Sequence, residues 1–293
     1  MPDHSSDAEE PRSDTGLRAA DAMMPPAVDA PAVDPLAIPA PDANPTADEP
    51  QLRRAHVPRD DWRLGGRSVR RWREWLLAGA LLSLGAGILV GTFIASVWDS
   101  PWVAASATVL VWIGMLAPTV WALSRSRPRG LLRFRAVDLL YGLVLGGLLR
   151  LTQGWMEVAA GGTGALPSFG LIDGRLPAEV WVVDGFGGVV VAPLIEEFFF
   201  HGVILIALYT VLRRPFGKPA AAIVAIVASG GLFVLVHSML LSLPVDQVFA
   251  LALLALICGL LVVLTGRIWG AVFVHLTFNA SFLLLALVGT YLA

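Results

Sequence analysis

The sequence predicts an all-α membrane protein of about seven transmembrane helices, and three observations carry that expectation. Of its 293 residues, 56% are apolar, and the mean hydropathy is +0.70. Only 15% are charged, well below the roughly one quarter usual in soluble domains. Seven apolar runs each approach the roughly 20 residues a helix needs to cross a bilayer, and nearly all of the arginine lies outside them.

Residues 1–50 hold eleven acidic and two basic residues in a Pro/Ala-rich context such as "PPAVDAPAVDPLAIPAPDANP". Too few large apolar side chains are present there to offset chain entropy, so the segment reads as a disordered acidic tail. It lacks the basic-then-apolar order of a signal peptide. Residues 51–73 carry eight arginines, so 51–75 reads as a basic juxtamembrane segment. The apolar runs follow at 76–98, 102–123, 137–158, 185–212, 220–241, 247–265 and 268–292. None alternates with the period of a barrel strand. The third is interrupted by Arg150, Gln153 and Glu157 at helical spacing, which places them either along a cavity or at the outer interface. The loop 159–184 contains the apolar patch "VWVV" and reads as extracytoplasmic, re-entrant or surface-lying.

The arginine tally orients the chain. With the N-terminus cytoplasmic, the inner segments carry the eight arginines before run one. They also carry Arg125, Arg127, Arg129, Arg133 and Arg135, then Arg213, Arg214 and Lys218, then Arg267; outer loops carry Arg175 alone. The positive-inside rule therefore predicts a multi-pass plasma-membrane protein with its N-terminus cytoplasmic. These basic clusters flank spans, so they read as topology signals, and no nucleic-acid partner is expected. Cys258 is the sole cysteine, so the chain forms no internal disulfide.

Ionisable groups at mid-bilayer cost several kcal/mol and usually face a cavity. The first two runs contain none, whereas three of the last four do. "APLIEEFFFHG" supplies Glu196, Glu197 and His201. Adjacent helical residues point about 100° apart, so the two glutamates cannot face one partner together. Glu197 and His201 share a face at i,i+4, where they can hold helices together, move a proton or join in binding a metal. "GGLFVLVHS" supplies His237, either a hydrogen-bonded structural residue or a functional one, and Gly230–Gly231, which allow a bend or a close approach. "FVHLTFNAS" supplies His275 and Asn279, again at i,i+4. Two donors on one face can stabilise an oxyanion or serve as interhelical polar glue. Counted along ideal helices from the inner face, His275 lies roughly 11 Å deep and His237 roughly 26 Å, with Glu196 between.

"EEFFFHG", "FVLVH" and "HLTFN" resemble, in order, the motifs EExxxR, FxxxH and HxxxN of the CPBP family. That family comprises CAAX prenyl proteases of the Rce type and bacteriocin-processing or immunity-type (Abi-like) bacterial relatives. The resemblance covers residues 185–292 and implies a four-helix catalytic core in the C-terminal half. It implies an intramembrane endopeptidase acting on a membrane-associated protein or peptide within the lipid bilayer. Glu196 and His237 would activate water, His275 and Asn279 would hold the oxyanion, and Glu197 would support the site. One position departs from the pattern: His201 stands where the family has arginine, and a histidine is charged only conditionally. His201 either substitutes as a partner for Glu197, or joins Glu197 and His237 or His275 around a divalent metal such as zinc. Arg150 is a further candidate for support. Two other functions fit the buried polarity: a proton-relay transporter, or a non-catalytic scaffold or immunity-type protein that keeps the fold.

Overall fold

The computed structural model describes residues 61–100 and 102–292. The acidic tail and the first part of the basic segment lie outside them. Seven helices are long and apolar enough to cross a membrane. They are α1 (Glu74–Val97), α2 (Val103–Arg125), α3 (Ala136–Ala159), α4 (Val180–Leu212), α5 (Gly217–Leu240), α6 (Val245–Thr265) and α7 (Trp269–Leu292). Among the described residues there is no strand, only an isolated bridge between Ile172 and Arg175. The chain is thus an all-α multi-pass membrane protein, with the expected span count.

The largest departure from the sequence expectation is at α4. The patch "VWVV" does not lie on the surface as a separate segment; it is the first turn of α4, which begins at Val180. Asp184 lowers the apolar signal there, so the run reads as starting one residue later. α4 is also wound wide over Val180–Val191 and Glu197–Ile204, where N–H groups reach carbonyls five residues back, as from Ala192 to Gly187 and from Leu205 to Phe200. Pro193, which lacks a backbone donor, lies in the short regular stretch between them. Such π stretches are rare and often mark functional sites.

α4 is the central helix: 61% of its most apolar window is buried, against 22–39% for the other six. α1 and α2 form an antiparallel hairpin on one side. Lipid tails are as apolar as the helices, so association relies on close packing of small residues. A Cβ at Gly114 would lie 2.7 Å from the Ser83 carbonyl oxygen, and Ser83 Oγ donates to the Gly114 carbonyl at 2.7 Å. α3 packs against α7 in the same way, where a Cβ at Gly146 would meet the Val274 carbonyl at 2.8 Å. α5 and α6 approach at Gly230, opposite Ala255, within a continuous α5. Of the glycine pair, Gly230 therefore serves close approach, whereas a Cβ at Gly231 would meet nothing within 4 Å.

The basic connections meet on one face of the bundle. Trp62 Nε1 donates to the Gly266 carbonyl at 3.0 Å, and its backbone N–H to the Arg129 carbonyl at 3.0 Å. Arg63 reaches the carbonyls of Val263 and Leu264 at 2.9 and 2.6 Å. Arg267 pairs at 2.6 Å with Asp138, which is buried in the first turn of α3. Burial opposes charge on Arg267, but its hydrogen bonds to Asp138 outweigh that and raise its pKa. These ties hold the segments before α1, after α2 and after α6 on the same side, as the two and six crossings between them require.

Candidate active site

The polar residues of α4, α5 and α7 converge on one point. Glu196 Oε2 lies 3.7 Å from His237 Nε2 and 3.8 Å from His275 Nε2. His237 is near the C-terminal end of α5 and His275 near the N-terminal end of α7. Counting from helix starts separates them because it assumes a common entry level; the packed helices start at different levels, so that separation vanishes.

Phe233, of the motif FVLVH, arranges both imidazoles. Its ring centroid is 4.3 Å from that of His237 and 5.8 Å, edge-on, from that of His275. His237 Nδ1 lies 2.9 Å from the Phe233 carbonyl, which can only accept, so Nδ1 carries the proton and Nε2 of the neutral ring is left bare toward Glu196. No protein group among the described residues donates a hydrogen bond to the Glu196 carboxylate, and 3.7 Å is too long for one.

Glu197 is in the opposite condition. It is 1% exposed, and each oxygen has a partner: His275 Nδ1 donates to Oε1 at 2.9 Å, and His201 Nδ1 lies 2.9 Å from Oε2. The second nitrogen of His201 is 3.1 Å from the Ala255 carbonyl in α6, so Nε2 must be protonated to donate there. One further proton then lies along Nδ1···Oε2, shared between His201 and Glu197. A histidine held between two acceptors in this way supplies the donors that an arginine would supply, in a smaller volume. Gly259 packs beside it, where a Cβ would sit 3.1 Å from Ile226 and 3.4 Å from the ring.

Asn279 does not reach the carboxylates; its amide donates to the Gly188 carbonyl at 2.8 Å, joining α7 to the wide part of α4. Nor is Arg150 brought to either carboxylate. It braces α3 on α7, with Nε donating to Ser281 Oγ at 3.2 Å and Nη2 to the Phe278 carbonyl at 2.6 Å; its guanidinium lies 4.1 Å from the Phe278 ring. Arg150 also binds Gln153. Neither residue, nor Glu157, lines the cavity at Glu196.

That cavity, of about 370 Å³, runs from Glu196 and His237 to a wall built by α1 and α2, including Gly91, Ala95, Ala104, Ala107 and Trp112. Thr92 and Thr108 also line it, but their hydroxyls donate to carbonyls of their own helices. Glu196 and His237 are the only ionisable groups in the lining. Sequence reasoning had not singled out this wall, although small residues at Gly91–Ala95 and Ala104–Thr108 recur at helical spacing. It also missed the carbonyls of Phe233, Gly188 and Ala255, which carry no sequence signal because every residue has one.

Residues 178–281 match the family model of the type II CAAX prenyl endopeptidases, Rce1-like. The C-terminal core is thus similar to the CAAX prenyl endopeptidases over residues 178–281. The match spans α4, α5 and α6 and most of α7, and it contains all three motifs. The Rce1-like core excludes α1 and α2, so the outer wall of the cavity comes from outside the matched segment. No similar curated protein and no similar solved structure was found.

A metal centre on Glu197 does not fit the donor set. Both carboxylate oxygens face imidazole nitrogens at hydrogen-bond distance, and His201 spends its other nitrogen on Ala255. Among the described residues, no group of three or more His, Cys, Asp or Glu is arranged to hold a metal ion.

Proposed function

We propose that the chain is an intramembrane endopeptidase that hydrolyses a peptide bond of a membrane-associated protein or peptide, using water activated by Glu196 and His237. The observation that carries this reading is the unpartnered Glu196 carboxylate, facing two imidazole Nε2 atoms at 3.7 and 3.8 Å at the end of an apolar cavity. Similarity of the core to a protease family supports the reaction class.

The chemistry follows from the proton assignments. A water at this point meets two acceptors, a carboxylate oxygen and the bare His237 Nε2. It can give one hydrogen bond to each, which leaves a lone pair for the substrate carbonyl. As its oxygen bonds to the carbonyl carbon, Glu196 takes the proton. The tetrahedral oxyanion is held by His275, which must be protonated at Nε2 to donate because Nδ1–H is engaged with Glu197. Asn279, tied to the Gly188 carbonyl, fixes α7 against the wide part of α4. The carbon–nitrogen bond then breaks, and Glu196 returns the proton to the leaving amine, releasing a carboxylic acid and an amine. Glu197 and His201 hold His275 and α6 in register.

The orientation follows the arginine tally: N-terminus cytoplasmic, in the plasma membrane, with the hydrogen-bonded basic face inward. Because Cys258 is buried, single cysteines engineered at residues 68 and 170 give a clean labelling test. An impermeant reagent on intact cells is expected to label residue 170 alone.

Hydrolysis is tested by incubating the reconstituted protein with a membrane-protein fraction in 18O-water and sequencing new termini. Wild type is expected to place one 18O in each new carboxyl group, and Glu196→Gln or His237→Ala to abolish this while still inserting. Full activity in either variant overturns the reading.

A further inference from the structure

At the N-terminal face of the hairpin, Arg67, Arg70, Arg71 and Arg125 line one cavity of about 500 Å³ together with Ser126. No acidic residue is in its wall. Three other arginines are paired: Arg63 with Asp61, Arg73 with Glu74, and Arg267 with Asp138. The four cavity arginines, by contrast, make no ion pair or hydrogen bond with a described side chain. Arg125 alone has a partner, the Trp121 ring, at 5.9 Å. Four cations around one cavity repel each other unless an anion sits among them.

The cavity is built, not an incidental gathering of surface charge. Its two walls, the turn Arg67–Val69 and the end of α2, are fastened together. Trp72 Nε1 donates to the Ser126 carbonyl at 3.0 Å, and Ser126 Oγ donates to the Ser68 carbonyl at 2.6 Å. Val69 and Trp72 are buried on either side of the exposed pair Arg70 and Arg71. A topology signal needs only a count of positive charges near a span; it does not require two separate segments to converge on a common space.

Its level in the membrane identifies the ligand. Trp75, at the start of α1, is 90% exposed, and Trp121, in the last turn of α2, is 51% exposed. Aromatic side chains in such positions sit at the headgroup boundary. The cavity lies just beyond them, where phosphates are found, and the next turns of α1 and α2 expose Leu82, Leu116 and Val120 to acyl chains. Guanidinium groups bind phosphate oxygens with paired N–H donors.

We infer that this cavity binds the phosphate headgroup of an anionic phospholipid, with Arg67, Arg70, Arg71 and Arg125 as its ligands. The site is separate from the carboxylates of α4 and stands whether or not the chain is a peptidase.

The full chain is placed in nanodiscs of mixed phosphatidylglycerol and phosphatidylcholine, and retained lipid is measured by native mass spectrometry. The triple variant Arg67→Gln, Arg70→Gln, Arg71→Gln is expected to lose phosphatidylglycerol retention by at least about tenfold. A triple with matched charge loss outside the cavity, Arg127→Gln, Arg133→Gln, Arg214→Gln, is expected to keep it. The triple Arg67→Lys, Arg70→Lys, Arg71→Lys, which retains charge and fold but not the guanidinium fork, is expected to fall between them. Equal loss in both Gln triples, or no loss in the first, overturns the site. A fourth arm titrates inorganic phosphate into protein in phosphatidylcholine alone. Phosphate binding as tight as lipid binding would mark a soluble-anion site and overturn the lipid assignment.

Discussion

The two flanks of α4 carry neighbouring carboxylates in opposite conditions. On the flank facing α6 and α7, Glu197 is sealed, with both oxygens occupied by imidazole nitrogens at 2.9 Å. On the flank facing α1, α2 and α5, Glu196 looks into a cavity and has no hydrogen-bond donor nearer than 3.7 Å. A rotation of about 100° between adjacent helical residues is enough to separate a group that is used up by structure from one left free for chemistry. Buried polar groups are normally satisfied, so the exception at Glu196 points to function and the rule at Glu197 points to support.

The strongest way to break this contrast is to remove each charge in turn. Glu196→Gln is expected to lower hydrolysis by about a thousandfold or more, since it removes the base. The unfolding temperature should stay near that of wild type, because no hydrogen bond is lost. Glu197→Ala is expected to act in the reverse sense, destabilising the protein by about 3–5 kcal/mol through two buried imidazoles left without their anion. Thermal unfolding in detergent, measured beside turnover, distinguishes the two. Equal destabilisation by both substitutions would erase the difference between the flanks.

His201→Gln sharpens the sealed flank. It keeps a single donor nitrogen where His201 uses two separate ones, toward Glu197 and Ala255, so a loss of about 1–3 kcal/mol is expected. Because His201 is separated from the cavity by Glu197, kcat should fall while KM stays near its wild-type value. The smallest effect belongs to the open flank. Ala95→Leu or Ala104→Leu narrows the cavity from the α1–α2 wall without touching the carboxylates. An increase in KM of about tenfold for bulky substrates, with stability unchanged, is expected from lost apolar contact and space.

Much of the site was legible beforehand. The glutamate pair, the two histidines and Asn279 were all marked by polarity in apolar runs, and their order matched a family pattern. Asn279 and Arg150 show where that legibility stopped: the first is tied to Gly188 and the second to Phe278 and Ser281, away from the carboxylates. A polar residue in a span announces a buried partner but does not say which one, because backbone carbonyls of other helices compete with side chains. The start of α4 was misread because Asp184 breaks an apolar run that the helix itself continues through.

By itself, the sequence determined the all-helical class, the seven spans, the concentration of arginine outside the apolar runs, and the placement of ionisable groups in the C-terminal core. These are local properties, set by hydropathy and by charge near a span. Tertiary structure alone decided which glutamate is sealed and which is open, and that His237 and His275, on different helices, meet at a single carboxylate oxygen. It also decided that α1 and α2 close the cavity and that four arginines share another. Each of those outcomes depends on the relative level and rotation of packed helices. Small residues such as Gly114, Gly146 and Gly230 set these by how closely they let two backbones approach.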